Sequence, residues 1–183
     1  SLKLADVRFL LGDVAGEREL REAIYGRLSE ATGGRMAATP YRVDANAEYL
    51  DSVLSIVISA TNAKQTLLAE LAETGSLAAP LARYQAANAS AQRVLSETTV
   101  PAALEPFRDR LSLALGLQAE FFAKAVTSRA AGHPFAEIWN VPEGRQASSL
   151  LIAAFRDLVQ RLPELEPERR DLFYHRLCAL DLY

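Results

Sequence analysis

The strongest constraint on this chain is a set of long apolar stripes repeating at the α-helical period of 3.6 residues. In residues 45–73, Leu50, Val53, Val57, Ala60, Leu67, Leu68 and Leu71 share one helical face. In residues 77–97 the stripe is Leu77, Leu81, Tyr84, Ala91 and Leu95, and in residues 101–130 it is Phe107, Leu111, Ala114, Phe122 and Ala125. Each of these stripes is broken near its centre by one polar residue: Lys64, Asn88 and Gln118. A face that buries itself normally excludes such groups, because an unpaired polar atom loses its water on burial.

The rest of the chain reads as helical too. Residues 3–11 place Leu4, Val7 and Leu11 on one face, with a change of register around Gly12 and Gly16. A helix over 17–31 carries Leu20, Ile24 and Leu28, and Gly33–Gly34 stops it, since glycine readily takes the left-handed cap conformation. Residues 35–44 are a loop punctuated by Pro40, with Asp44 as N-cap of the next helix. Thr74-Gly75 ends the 45–73 helix and Ser76 caps the one after it. Pro80 falls in a first turn, where its missing N–H does little harm, and Pro101 fits the first position of the 101–130 helix. Gly132 and Pro134 close that helix, and residues 131–145 form a long connection whose Trp139 packs down. A helix over 146–162 turns Leu151, Ala154, Phe155, Leu158 and Leu162 inward, Pro163 and Pro167 bound a short turn, and a last helix covers 168–181.

Strand-like alternation is absent, so the fold class is all-α. Short connections between 45 and 130 favour antiparallel neighbours. The expected architecture is one domain over 1–183. Its core is an up-down bundle of the four helices at 45–73, 77–97, 101–130 and 146–162, with the N-terminal and C-terminal helices packed around it. A chain of 183 residues buries a sizeable core without staples.

Charge narrows the partners. The net charge is -3, which disfavours nucleic acid, whose phosphates need clustered cations. Lysine occurs only as Lys3, Lys64 and Lys124 against many arginines and alanines, a bias that fits genomic base composition better than a recognition surface. Cys178 is the only cysteine, so neither an intrachain disulfide nor a cysteine-based metal framework is available. The expected compartment is the cytoplasm, or the periplasm after loss of a leader, as no signal peptide is visible and the sequence begins at Ser1. The most apolar run, VLSIVISA at 53–60, falls far short of the ~20 residues of a membrane span.

Lys64, Asn88 and Gln118 are the candidate ligand-binding residues. Lys64 and Asn88 are equidistant from the turn near Ser76, so in an antiparallel hairpin they lie at the same height. Gln118 is offset from Asn88 by about 10 Å at 1.5 Å rise per residue. A desolvated lysine there is a candidate base, imine-forming amine or anion anchor, with the amides orienting a polar ligand. The opposing reading is structural: one buried polar side chain fixes helix register.

A candidate metal site lies on the last helix, where Asp171, His175 and Cys178 share a face. The opposing reading there is a packed imidazole and a buried thiol. His175 as base for Cys178 is a poorer arrangement, because two residues on one helical face rarely point at a common substrate. His133 and Glu137, beside Trp139, read as part of a cap over the bundle end. There is no glycine-rich phosphate loop, HExxH, EF-hand loop or paired Glu-x-x-His motif. With no catalytic constellation and no cofactor implied, the expected function is a bacterial binding or interaction module, for a small ligand or a protein. The alternatives are an enzyme using Lys64 or a metal at His175, and a structural scaffold or homodimer.

Overall fold

The computed structural model describes residues 14–31, 45–72, 76–134, 137 and 139–183. Among them the regular structure is helical, with no strand. The helices are α1 (Val14–Ala31), α2 (Ala45–Ala72), α3 (Ala78–Glu97), α4 (Glu105–Ala130), α5 (Pro142–Arg161) and α6 (Pro167–Leu180), with a 3-10 turn at Ala102–Leu104. The helix expected over 3–11, the stop at Gly33–Gly34, the loop with Pro40 and Asp44, and the stop at Thr74-Gly75 lie outside the described residues.

The chain divides into two compact units, residues 1–55 and 56–183. The described part of the first comprises α1 and the opening turns of α2. The second holds the rest of α2 and everything after it, the candidate residues included. α2 runs through the boundary, and its inward stripe is buried at Leu50, Val53, Val57, Ala60, Leu67 and Leu71, with Leu68 partly buried.

In the second unit, α3 packs on α4, α4 on α5, and α5 on α6. The α4–α5 pair is antiparallel. Arg110 near the start of α4 pairs with Asp157 near the end of α5, and Lys124 near the end of α4 meets Glu143 at the start of α5. Leu67, Leu71, Leu77, Tyr84, Phe121, Phe122 and Ala125 form a core cluster. Its aromatic rings continue outward, Tyr84 on Phe122 at 4.7 Å, Phe122 on Phe121 at 5.2 Å and Trp139 on Tyr183 at 5.7 Å in edge contacts, and Phe121 on Trp139 at 5.8 Å with the rings tilted by 37°. Trp139 thus packs down, as its connection's composition suggests.

Several helix starts differ from the sequence expectation. The cap of α3 is Leu77, not Ser76; Leu77 makes no side-chain cap bond, but its carbonyl accepts the Leu81 N–H at 3.0 Å and its side chain is buried in the core cluster. Apolar burial takes precedence over a polar cap there. The α-helix expected from Pro101 begins at Glu105, after the 3-10 turn. Pro106 has no N–H to give a carbonyl four residues back, so it falls in the first turn of α4 and the preceding residues close a tighter turn. Helix α5 begins at Pro142, not 146, which shortens the connection to 131–141. Proline's fixed φ suits that first position, a signal present in the sequence. Gly132, at φ +83, ends α4 with the paired bonds Gly132 N–H to Arg129 and His133 N–H to Ser128 of a Schellman turn.

Candidate functional site

Lys64, Asn88 and Gln118 are all buried, at 5%, 2% and 0% exposure. Each meets a backbone carbonyl. Lys64 Nζ donates to the Ala179 carbonyl at 2.7 Å and the Asp181 carbonyl at 2.5 Å. Gln118 Nε2 donates to the Leu180 carbonyl, between them in sequence, at 2.8 Å. Asn88 Nδ2 donates to the Leu115 carbonyl at 2.9 Å and to the Tyr84 hydroxyl at 3.3 Å, and its Oδ1 accepts from Gln92 Nε2 at 2.8 Å.

Lys64 and Asn88 therefore do not form the pair that their equal heights suggested. Lys64 is joined to Gln118 instead, through the end of α6. Equal distance from a turn fixes height along an axis but not rotation about it. Lys64 turns to α6, more than a hundred residues on in sequence, while Asn88 turns across the α3–α4 seam.

The chemistry at the end of α6 follows from its backbone. The last carbonyls of a helix lack intrahelical donors and carry the negative pole of its dipole. The Asp181 N–H returns to Leu177 at 3.0 Å and to Cys178 at 3.2 Å, which serves those two carbonyls. Ala179 and Leu180 remain, and Lys64 and Gln118 supply their donors. A cation suits this pole. Burial lowers the Lys64 pKa below the ordinary lysine value, and the Asp181 carboxylate opposes part of that shift.

Asp181 is a hub that sequence reasoning missed, together with Ser148. The Asp181 Oδ1 accepts from the Ser148 hydroxyl, from the Leu182 N–H at 2.6 Å and from the Tyr183 N–H at 3.3 Å. Ser148 also approaches the Gly144 carbonyl at 3.1 Å, but it has one proton, and a carboxylate is the stronger acceptor. Ser148 carries the same signal as the other three, a polar residue on the buried stripe of Ala147, Leu151, Ala154 and Leu158. Tyr183 then donates its hydroxyl to the Trp139 carbonyl at 2.8 Å. Its ring lies over Gly144, where an added Cβ would stand 3.2 Å from Tyr183 Cε2 and 3.1 Å from Phe121 Cδ2.

The remaining candidates sit at the surface. Asp171, His175 and Cys178 are all exposed on α6, so the buried thiol and packed imidazole that the sequence offered as an opposing reading do not describe them. The His175 ring stands against Tyr174 at 5.5 Å. Among the described residues no group of three or more His, Cys, Asp or Glu side chains is placed to hold a metal ion. His133 Nδ1 and Glu137 Oε2 are 3.4 Å apart and both exposed. No helix among the described residues is long and apolar enough to cross a membrane.

A second feature, not singled out from the sequence, lies on the outer side of α4 and α5. Leu113, Leu117 and Leu150, with Arg145, Gln146 and Ser149, line an open groove of about 410 Å³. Leu113 is 56% exposed, and Ile152, one turn along α5 from Ser149, is 58% exposed. Arg145 is the single charged residue of the lining and has no ion-pair partner among the described residues. Only outward positions of the stripe pattern could have flagged these leucines, and isolated surface leucines are too common to count as a signal. No protein-family model, no curated protein and no solved structure matches this chain.

Proposed function

We propose that this chain is a non-catalytic protein-interaction module. Its helices, ordered as an up-down bundle, hold their interior polar groups for internal use and offer the α4–α5 groove to a partner. The occupant is an apolar peptide segment bearing a carboxylate. The observation that carries this reading is the groove's makeup: three leucines, Leu113, Leu117 and Leu150, beside one cation, Arg145, with no acidic residue in the lining. Leucine-type side chains fill such a floor, and Arg receives a carboxylate in two parallel hydrogen bonds. The interior supports the same reading. Lys64 commits two donors to carbonyls of its own chain, and Asn88 makes three hydrogen bonds to protein groups. Those residues act as structural ties, and neither meets a substrate.

Selection of a displayed random-peptide library on the purified protein tests this. Enriched peptides are expected to combine leucine-like residues with Asp or Glu. Their binding is expected to weaken about tenfold in Arg145→Glu, which corresponds to about 1.4 kcal/mol, and to vanish in Leu113→Asp. Absence of enrichment, or enriched peptides indifferent to both substitutions, contradicts the proposal. So does a concentration-dependent dimer in light scattering that Leu113→Asp abolishes, because the occupant is then a second copy.

A further inference from the structure

Gln118 presents a problem that the rest of its surroundings do not solve. Its amide nitrogen is used, but Oε1 is fully buried and accepts no hydrogen bond among the described residues. Buried amide oxygens in native proteins are nearly always paired, with protein or with ordered water. Reversing the amide does not help, since the Leu180 carbonyl requires a donor.

Lys64 presents the complementary problem. An ammonium has three protons, and Lys64 gives two of them, to Ala179 and Asp181. Both side chains end on the same short stretch of backbone, residues 179–181, where consecutive Cα atoms are about 3.8 Å apart. One group has a donor to spare, and the other is an acceptor without a donor.

We infer that this polar centre is a binding site for a single water molecule, which accepts from Lys64 Nζ and donates to Gln118 Oε1. Its second proton is available to the free lone pair of a helix-end carbonyl, Ala179 or Leu180. That gives the three polar partners typical of a buried water. A monovalent cation would also like the oxygen atoms here, but the Lys64 ammonium repels it. A larger polar ligand would have to displace side chains that are 95% buried or more. The water is a third partner for the Lys64 amino group, beside the Ala179 and Asp181 carbonyls.

The test is a high-resolution crystal structure of the whole chain together with water–protein magnetisation transfer by NMR. An ordered solvent peak within hydrogen-bond distance of both Gln118 Oε1 and Lys64 Nζ is expected, with a water cross-peak to the Gln118 side-chain amide protons. A water cross-peak to the Lys64 ammonium is expected in the unaltered protein and lost in Gln118→Met, which keeps the volume and removes the acceptor. A protein donor found directly on Oε1, or an unaltered protein whose Gln118 amide shows no water cross-peak, overturns the inference. Both readouts on the unaltered chain stand even where the variant fails to fold.

Discussion

Lys64 on α2 and Gln118 on α4 donate to three consecutive carbonyls, Ala179, Leu180 and Asp181, at the end of α6. Side chains from α2 and α4 thereby cap the carbonyl end of α6. Truncating either side chain to an apolar one leaves carbonyls without donors, part-buried ones at Ala179 and Asp181 and a buried one at Leu180. Lys64→Met should cost about 2–4 kcal/mol, because two part-buried carbonyls are orphaned at about 1–2 kcal/mol each, the lower part of the penalty for a buried polar group. Gln118→Leu should cost about 1–3 kcal/mol, since it orphans the single buried carbonyl of Leu180. The two act on one helix end, so the double variant is expected to lose less than the two single losses combined. Urea unfolding of all four proteins measures this; strict additivity would mean that the two ties hold independent structures.

The pH dependence has a definite sign. Burial lowers the folded-state pKa of Lys64 below its unfolded value. Between those two values the unfolded chain binds more protons than the folded one, so this group makes stability rise with pH. The window closes near the ordinary lysine pKa of about 10.4. Burial of the Tyr84 hydroxyl raises its pKa, and that group acts oppositely once unfolded tyrosine ionises, above about pH 10. Subtracting the Lys64→Met stability curve from that of the unaltered protein isolates the lysine. The difference should grow as pH climbs toward 10, and a flat or falling difference contradicts a lysine strained by burial. The two contacts survive deprotonation, because a neutral amine still has two N–H donors for Ala179 and Asp181.

Asn88 gives a sharper contrast, because its role depends on donating. In Asn88→Asp the carboxylate cannot donate to the Leu115 carbonyl, and a charge with no cation beside it, only the neutral donors Gln92 and the Tyr84 hydroxyl, is left in the core. A destabilisation of about 3–5 kcal/mol is expected at neutral pH, as for other unpaired buried charges. Protonation restores one donor, so the variant should recover part of this loss as the pH is lowered toward 4, relative to the unaltered protein. Thermal melts at neutral and mildly acidic pH read the difference; a variant equally impaired at both would show that the loss is steric.

Two helical glycines should respond to alanine with opposite signs. A Cβ at Gly116 meets only Gln92 Nε2, at 4.0 Å. Gly116→Ala should therefore stabilise by about 0.5–1 kcal/mol, the usual helix-propensity gain. At Gly144 the added carbon is 3.1 and 3.2 Å from the Phe121 ring and 3.2 Å from Tyr183. Tyr183 is exposed and has room to move, but Phe121 is fully buried. Overpacking of about 1–3 kcal/mol outweighs the propensity gain, and the Trp139 fluorescence that both rings border should change. Equal effects at the two sites, read by chemical denaturation, contradict this packing.

Much of this was legible in the sequence, for a clear reason. Period 3.6 identifies which residues of a helix turn inward, and it placed Lys64, Asn88 and Gln118 on the buried stripes of their helices. Their partners were not legible. Those are backbone carbonyls, which every residue carries and which no spacing rule singles out. The Lys64 and Gln118 partners lie 115 and 62 residues away. Ser148 was legible by the same polar break in a stripe and was missed because neighbouring alanines and a second serine, Ser149, blur the face. Pro142 was legible too, as a first-position proline inside what composition alone reads as a loop.

The central claim is that Lys64 and Gln118 hold the end of α6 in place. Amide hydrogen exchange on the unaltered protein and on Lys64→Met tests it most directly. The account predicts that protection falls selectively at the α6 end, including the Asp181 amide bonded to Leu177, while α4 around Leu115 keeps its protection. Unchanged exchange at Asp181, or an even loss across α4, α5 and α6, would contradict it.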